Sequence, residues 1–188
     1  MKARKAPNTT AATPNILPDS RPYCFVSYST REAHAPILID CVKIILGPHF
    51  EVKLTPSALE SGASQREQII SLIEDSAFAI VILDGLRPNV VFELGLIYGR
   101  NKPVLLFKEA EAVVDIQGLY YGNQSAELRA NPPSVNLDTQ LSNIKDINYA
   151  VWTRFDLKGT LNLVWQEYSK KRDVIPGYVK IEEPSLCK

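Results

Sequence analysis

Histidine, cysteine and methionine are scarce in this chain, with two, three and one among its 188 residues. His34 and His49 have no cysteine or histidine partner at ligand spacing, which argues against a zinc site. Cys24, Cys41 and Cys187 are odd in number and far apart. The first two sit in apolar strand and helix contexts, so reduced core thiols and a cytoplasmic location are expected. Neither sign of charge is in excess: 21 Lys and Arg face 21 Asp and Glu. No bulk field draws the chain to nucleic acid or an anionic membrane. No apolar run approaches the roughly 18 residues of a membrane span. A glycine-rich phosphate loop is missing, and so is a G-x-S-x-G serine turn with an acid-partnered histidine.

What is present suits one globular domain. Apolar residues make up 45% of the chain, and a domain of this length buries roughly 70% of its unfolded surface. Residues 1–21 have Lys2, Arg4 and Lys5 among Thr and Pro, without the apolar centre of a signal peptide, and read as a flexible tail. The α/β domain is expected over 22–172, followed by a peripheral tail at 173–188.

Strand and helix patterns alternate along that domain. Tyr23 to Tyr28 (YCFVSY) is a strand that ends in hydroxyl-rich residues, and Ile37 to Leu46 is the inner face of a helix stopped by Gly47-Pro48. Phe50, Val52 and Leu54 alternate with Glu51 and Lys53, as in a half-exposed edge strand. A helix follows from about Ser64 to Glu74. The segment from Ala77 to Phe107 then reads as strand, helix, strand. Ala150 to Phe155 is a last strand, and Asp156 is placed to cap a closing helix over Leu157 to Lys171, with Trp165 in its core stripe. Helices between buried strands imply a mostly parallel five-stranded sheet covered on both faces, with right-handed crossovers. Residues 108–149, with Tyr120, Tyr121 and paired prolines, break the rhythm and read as an irregular insertion: a lid, a small helical unit or an oligomer contact.

The informative acid is Glu93. In RPNVVFELG it stands in an otherwise apolar helix that Asn89, after Pro88, is expected to cap. That places Glu93 near free amides and the positive end of the helix dipole, at the carboxyl edge of the sheet where ligands bind in open α/β folds. A carboxylate there is expected to stay ionised, as a nucleophile or as a counter-charge to a cationic transition state. Asp84, ending the third strand, is expected at the same edge. Ser27, Tyr28, Ser29 and Thr30 offer groups for a ribose, phosphate or ring. Each has a plainer alternative: Glu93 an exposed helix-start acid, Asp84 a turn residue, the hydroxyls a turn and a cap, and His34 a surface or capping residue. Cleavage of a pyridinium N-glycosidic bond suits this inventory, because the ring leaves neutral and one ionised acid can stabilise the developing sugar cation.

SYST after the first strand, and above all DGLRPNVVFELG, resemble the TIR-like branch of the Toll/interleukin-receptor domains, close to those of bacterial antiviral systems. The chain also resembles the nucleoside 2-deoxyribosyltransferases, which share the architecture. The resemblance covers about Tyr23 to Phe107, with Ala150 to Tyr168 as the closing unit. It implies a flavodoxin-like sheet and an NAD glycohydrolase or cyclase with Glu93 as the catalytic acid. It further implies ribose- or phosphate-holding groups between Ser27 and Arg31, Asn89 orienting the turn or touching the sugar, and Asp84 contacting the nucleoside as in the transferases. NAD is then a substrate and no separate cofactor or metal is expected. The partners expected are NAD or a related nucleotide, further copies of the chain and an effector responding to a nucleotide product. Membrane and specific nucleic acid are not among them. Two other readings stay open: a non-catalytic TIR-like adaptor or nucleotide-sensing module, and a deoxyribosyltransferase-like enzyme.

Overall fold

A computed structural model describes residues 21–55, 64–84, 87–112 and 148–184. The chain runs β1 (Tyr23–Ser27), α1 (Ala35–Leu46), β2 (Glu51–Leu54), α2 (Gln65–Asp75), β3 (Phe78–Ile82), α3 (Pro88–Gly99), β4 (Val104–Glu109), β5 (Ala150–Trp152) and α4 (Leu157–Lys170). The five strands form one sheet in the order β2-β1-β3-β4-β5, and every neighbouring pair is parallel. This is the doubly wound, flavodoxin-like order. The strand and helix alternation of the sequence is therefore realised, and β2 lies at an edge as its charged alternation requires.

Side-chain alternation divides the interior into two layers. Cys24 and Val26 of β1, Phe78, Ile80 and Ile82 of β3, and Leu105 and Phe107 of β4 pack with α1 and α4. Phe25, Ala79, Val81 and Leu106 pack on the other face, against Val90, Leu94 and Ile97 of α3. Phe50, Phe78 and Tyr168 meet at ring-centroid distances of 5.1, 5.8 and 5.7 Å, which locks α4 to the first layer.

The helix starts follow local chemistry. Ser64 accepts a hydrogen bond from the Glu67 amide at the start of α2, and Asp156 accepts from the Gly159 amide at 2.8 Å to cap α4. The α3 start differs from the sequence expectation. Arg87 is its N-cap residue, without a side-chain cap bond, and Pro88 takes the first helical turn, for which its fixed φ is suited. Asn89 thus lies inside the helix, exposed, and does not cap it.

The segment after α4 lies against that helix. Ile175 is buried, the Tyr168 hydroxyl donates to the Val179 carbonyl at 2.9 Å, and Trp165 Nε1 donates to the Ile181 carbonyl at 3.0 Å. Lys108 and Glu109, expected to open the irregular segment, extend β4 instead. Tyr120 and Tyr121 and the expected N-terminal tail up to residue 20 lie outside the described residues.

Candidate functional site

Glu93 is positioned by the helical period. Val90, Leu94 and Ile97 face the sheet, and Glu93 falls on the same stripe at i+3 from Val90. It is 2% exposed, which rules out the plainer reading of a solvated helix-start acid. Alternation along β1 sends Ser27 to the side of Phe25, toward α3. There the Ser27 hydroxyl donates to Glu93 Oε2 at 2.5 Å.

A third residue completes the group. Parallel register pairs Val26 with Leu54, so the next residues, Ser27 and Thr55, end side by side. Thr55 Oγ1 lies 3.1 Å from the Val26 carbonyl and 3.4 Å from Glu93 Oε2. One hydroxyl proton serves one of these acceptors at a time, so Ser27 is the main donor to the acid. Sequence reasoning missed Thr55 because nothing local to β2 reveals which residue its neighbouring strand presents beside it. Its place directly after an edge strand was the available signal.

The electrostatics differ from the expectation of an acid at free helix amides. With α3 starting at Pro88, Glu93 lies beyond the first turn, where the amides are already bonded within the helix. Burial pushes its carboxyl above the ordinary glutamate value, and the Ser27 and Thr55 hydroxyls partly counter this by bonding the charged form.

The remaining candidates separate. Tyr28 turns to the opposite face and packs against the layer under α1 and α4. Ser29 is buried, and its Oγ accepts from the Arg31 amide at 3.2 Å. Arg31 and Asn89 are exposed. Asp84 does not join Glu93. It borders a different cleft of about 340 Å³ with Glu32, His34, Glu109, Glu111 and Arg154. Leu105 and Phe107 belong to the α1/α4 layer, and the same alternation sends Glu109 to that face. Both carboxyls therefore lie at the carboxyl edge of the sheet but serve its opposite faces. Asp84 Oδ1 accepts from the Glu109 amide at 2.6 Å. Burial, first, and the nearby carboxyls of Glu109 and Glu32 push its pKa up to about 6, against the lowering effect of that amide bond and of Lys108.

Comparison with known proteins adds a likeness of architecture. No protein-family model matches the chain, and no curated protein does. Among solved structures, it is similar to the TIR domains of the activated Roq1 resistosome, which directly recognises the pathogen effector XopQ. Identity is 16% and the TM-score 0.47, over 78% of this chain and 97% of that one.

Proposed function

We propose that this chain is a TIR-like, NAD-consuming enzyme that cleaves the bond between nicotinamide and ribose, with Glu93 as its catalytic acid. The reading rests on one observation: an acid on the core-facing stripe of α3, bonded at 2.5 Å to the hydroxyl that ends β1. That is the carboxyl edge of the sheet, where α/β folds of this order bind nucleotides.

In the proposed reaction the C1′–N bond breaks and its electron pair goes to the nicotinamide nitrogen, which leaves neutral. Ionised Glu93 stabilises the ribosyl cation or traps it as an ester. Water then adds at C1′, with the ester C1′–O bond breaking to restore the Glu93 carboxylate where an ester has formed, and loses a proton to solvent, giving ADP-ribose; a ring nitrogen of the same molecule in place of water gives a cyclic ADP-ribose. Ser27 keeps the acid oriented and favours its charged form. Groups between Ser29 and Arg31 and at Asn89 are proposed to hold ribose or phosphate. Since Glu93 is 2% exposed, the proposal includes an opening step, as in an enzyme inactive until triggered or assembled with further copies of itself. A bacterial antiphage response, with an effector reading the nucleotide product, is the proposed setting.

The same burial favours a second reading, a non-catalytic TIR-like adaptor or nucleotide-sensing module in which Glu93 and Ser27 brace the fold. Nicotinamide release from NAD, followed for the wild type and Glu93→Gln across rising protein concentration, separates the two. Release lost in Glu93→Gln supports the enzyme; equal release by both overturns the role of Glu93. NAD bound intact at every concentration supports the sensing module. Base exchange between deoxynucleosides would instead mark the transferase reading.

A further inference from the structure

The cleft at the carboxyl ends of β3, β4 and β5 contains two buried carboxylate oxygens that hydrogen bonding leaves unsatisfied. Asp84 is 3% exposed; its Oδ1 accepts from the Glu109 amide, while its Oδ2 has no hydrogen-bond partner among the described residues. Glu109 is 1% exposed, and its Oε2 accepts from the Glu111 amide at 2.7 Å. Its Oε1 is likewise without a hydrogen bond, and the nearest guanidinium nitrogen of Arg154 stands 3.7 Å away. Arg154 is ion-paired with both acids, at 3.7 Å to Glu109 without a hydrogen bond and at 2.6 Å to Glu111, and Glu32 pairs with Arg87 at 3.1 Å. A buried carboxylate oxygen without a donor is costly. Here two of them end neighbouring strands and border the same space.

The charge and shape of the cleft narrow the complementary ligand. Among the described residues Glu32, Asp84, Glu109 and Glu111 line it with His34 and one guanidinium, Arg154, a balance that disfavours a phosphate or carboxylate. Among the described residues no group of three His, Cys, Asp or Glu side chains is disposed to hold a metal ion. Two acceptors on adjacent strands suit a planar cation with several N–H donors, and a guanidinium meets carboxylates through such a fork. The volume of about 340 Å³ lies at the small end of ligand pockets, which span roughly 300–1,000 Å³.

We infer that this cleft is a binding site for a small organic cation with a guanidinium head, held by Asp84 and Glu109 and separate from the Glu93 site across the sheet. The probe is butylguanidinium, with uncharged butylurea of nearly the same shape as control. Amide NMR of the full chain reads the titration through Glu109 and Glu111, whose N–H groups bond the two carboxyls. Saturable shifts of these amides with butylguanidinium, at least tenfold weaker response to butylurea, and at least tenfold loss in Asp84→Asn and in Glu109→Gln are expected. Glu109→Gln alone carries the comparison if Asp84→Asn fails to fold. Glu93→Gln should bind the probe as the wild type does, which keeps this site independent of the NAD reading. No saturable shift in the folded wild type, an equal response to butylurea, or undiminished affinity in the folded variants would overturn the assignment.

Discussion

Ser27 and Glu93 are 66 residues apart in the chain, yet the hydroxyl of one lies 2.5 Å from the carboxyl of the other. The bond ties the end of β1 to the inner stripe of α3. It supplies a buried acid with a donor that favours its ionised form, against a desolvation that favours the neutral one.

Because desolvation is the larger influence on Glu93, NAD cleavage should have an acid limb above the ordinary glutamate value of 4.5. In the proposed mechanism the charged form is the active one, so kcat/KM for nicotinamide release should fall as pH drops through the raised pKa. A profile still flat at pH 4.5 would contradict this.

Ser27→Ala removes the main donor to the acid. A hydrogen bond to a charged group contributes about 1.5–3 kcal/mol, so turnover near neutral pH should fall roughly 10- to 100-fold. Its acid limb should also move to higher pH, which a purely structural defect would not produce. Thr55→Ala should act in the same direction but less, since Thr55 divides its proton between Glu93 and the Val26 carbonyl.

Asp84 makes stability depend on pH in the opposite sense to an ordinary ion-paired acid. Its carboxyl is raised from 3.8 to about 6, so between these values the folded chain keeps a proton that the unfolded chain releases. Its contribution is intact below 3.8 and is lost as pH rises through about 6. Asp84→Asn keeps an acceptor for the Glu109 amide without the titration. Urea unfolding should show this variant gaining on the wild type from pH 4 to 7, by up to about 3 kcal/mol. A difference independent of pH would refute it.

Tyr168→Phe tests the C-terminal strap. The hydroxyl donates to the Val179 carbonyl and accepts from the Val179 amide at 3.1 Å. Its removal should lower stability by about 1–3 kcal/mol and speed hydrogen exchange at Val179 while leaving NAD turnover unchanged. Unaltered exchange at Val179 would show that the strap is held by other contacts.

Several features were legible without coordinates. Short β-branched runs separated by amphipathic helices dictated a parallel sheet with two covered faces, and the charged alternation of Glu51 and Lys53 marked an edge strand. The helical period placed Glu93 within the apolar segment of α3. Each of these depends on how a residue is directed relative to its own element, which spacing alone reports. Tertiary structure decided the rest. It set Thr55 beside Ser27 through the register of β1 and β2, and put Asp84 on the face opposite Glu93. It also began α3 at Pro88 rather than after an Asn89 cap, and withdrew Glu93 from water so that its pKa rises. Those outcomes depend on how crossovers bring separate elements into contact and on what solvent is thereby excluded, and neither is written in the local order of residues.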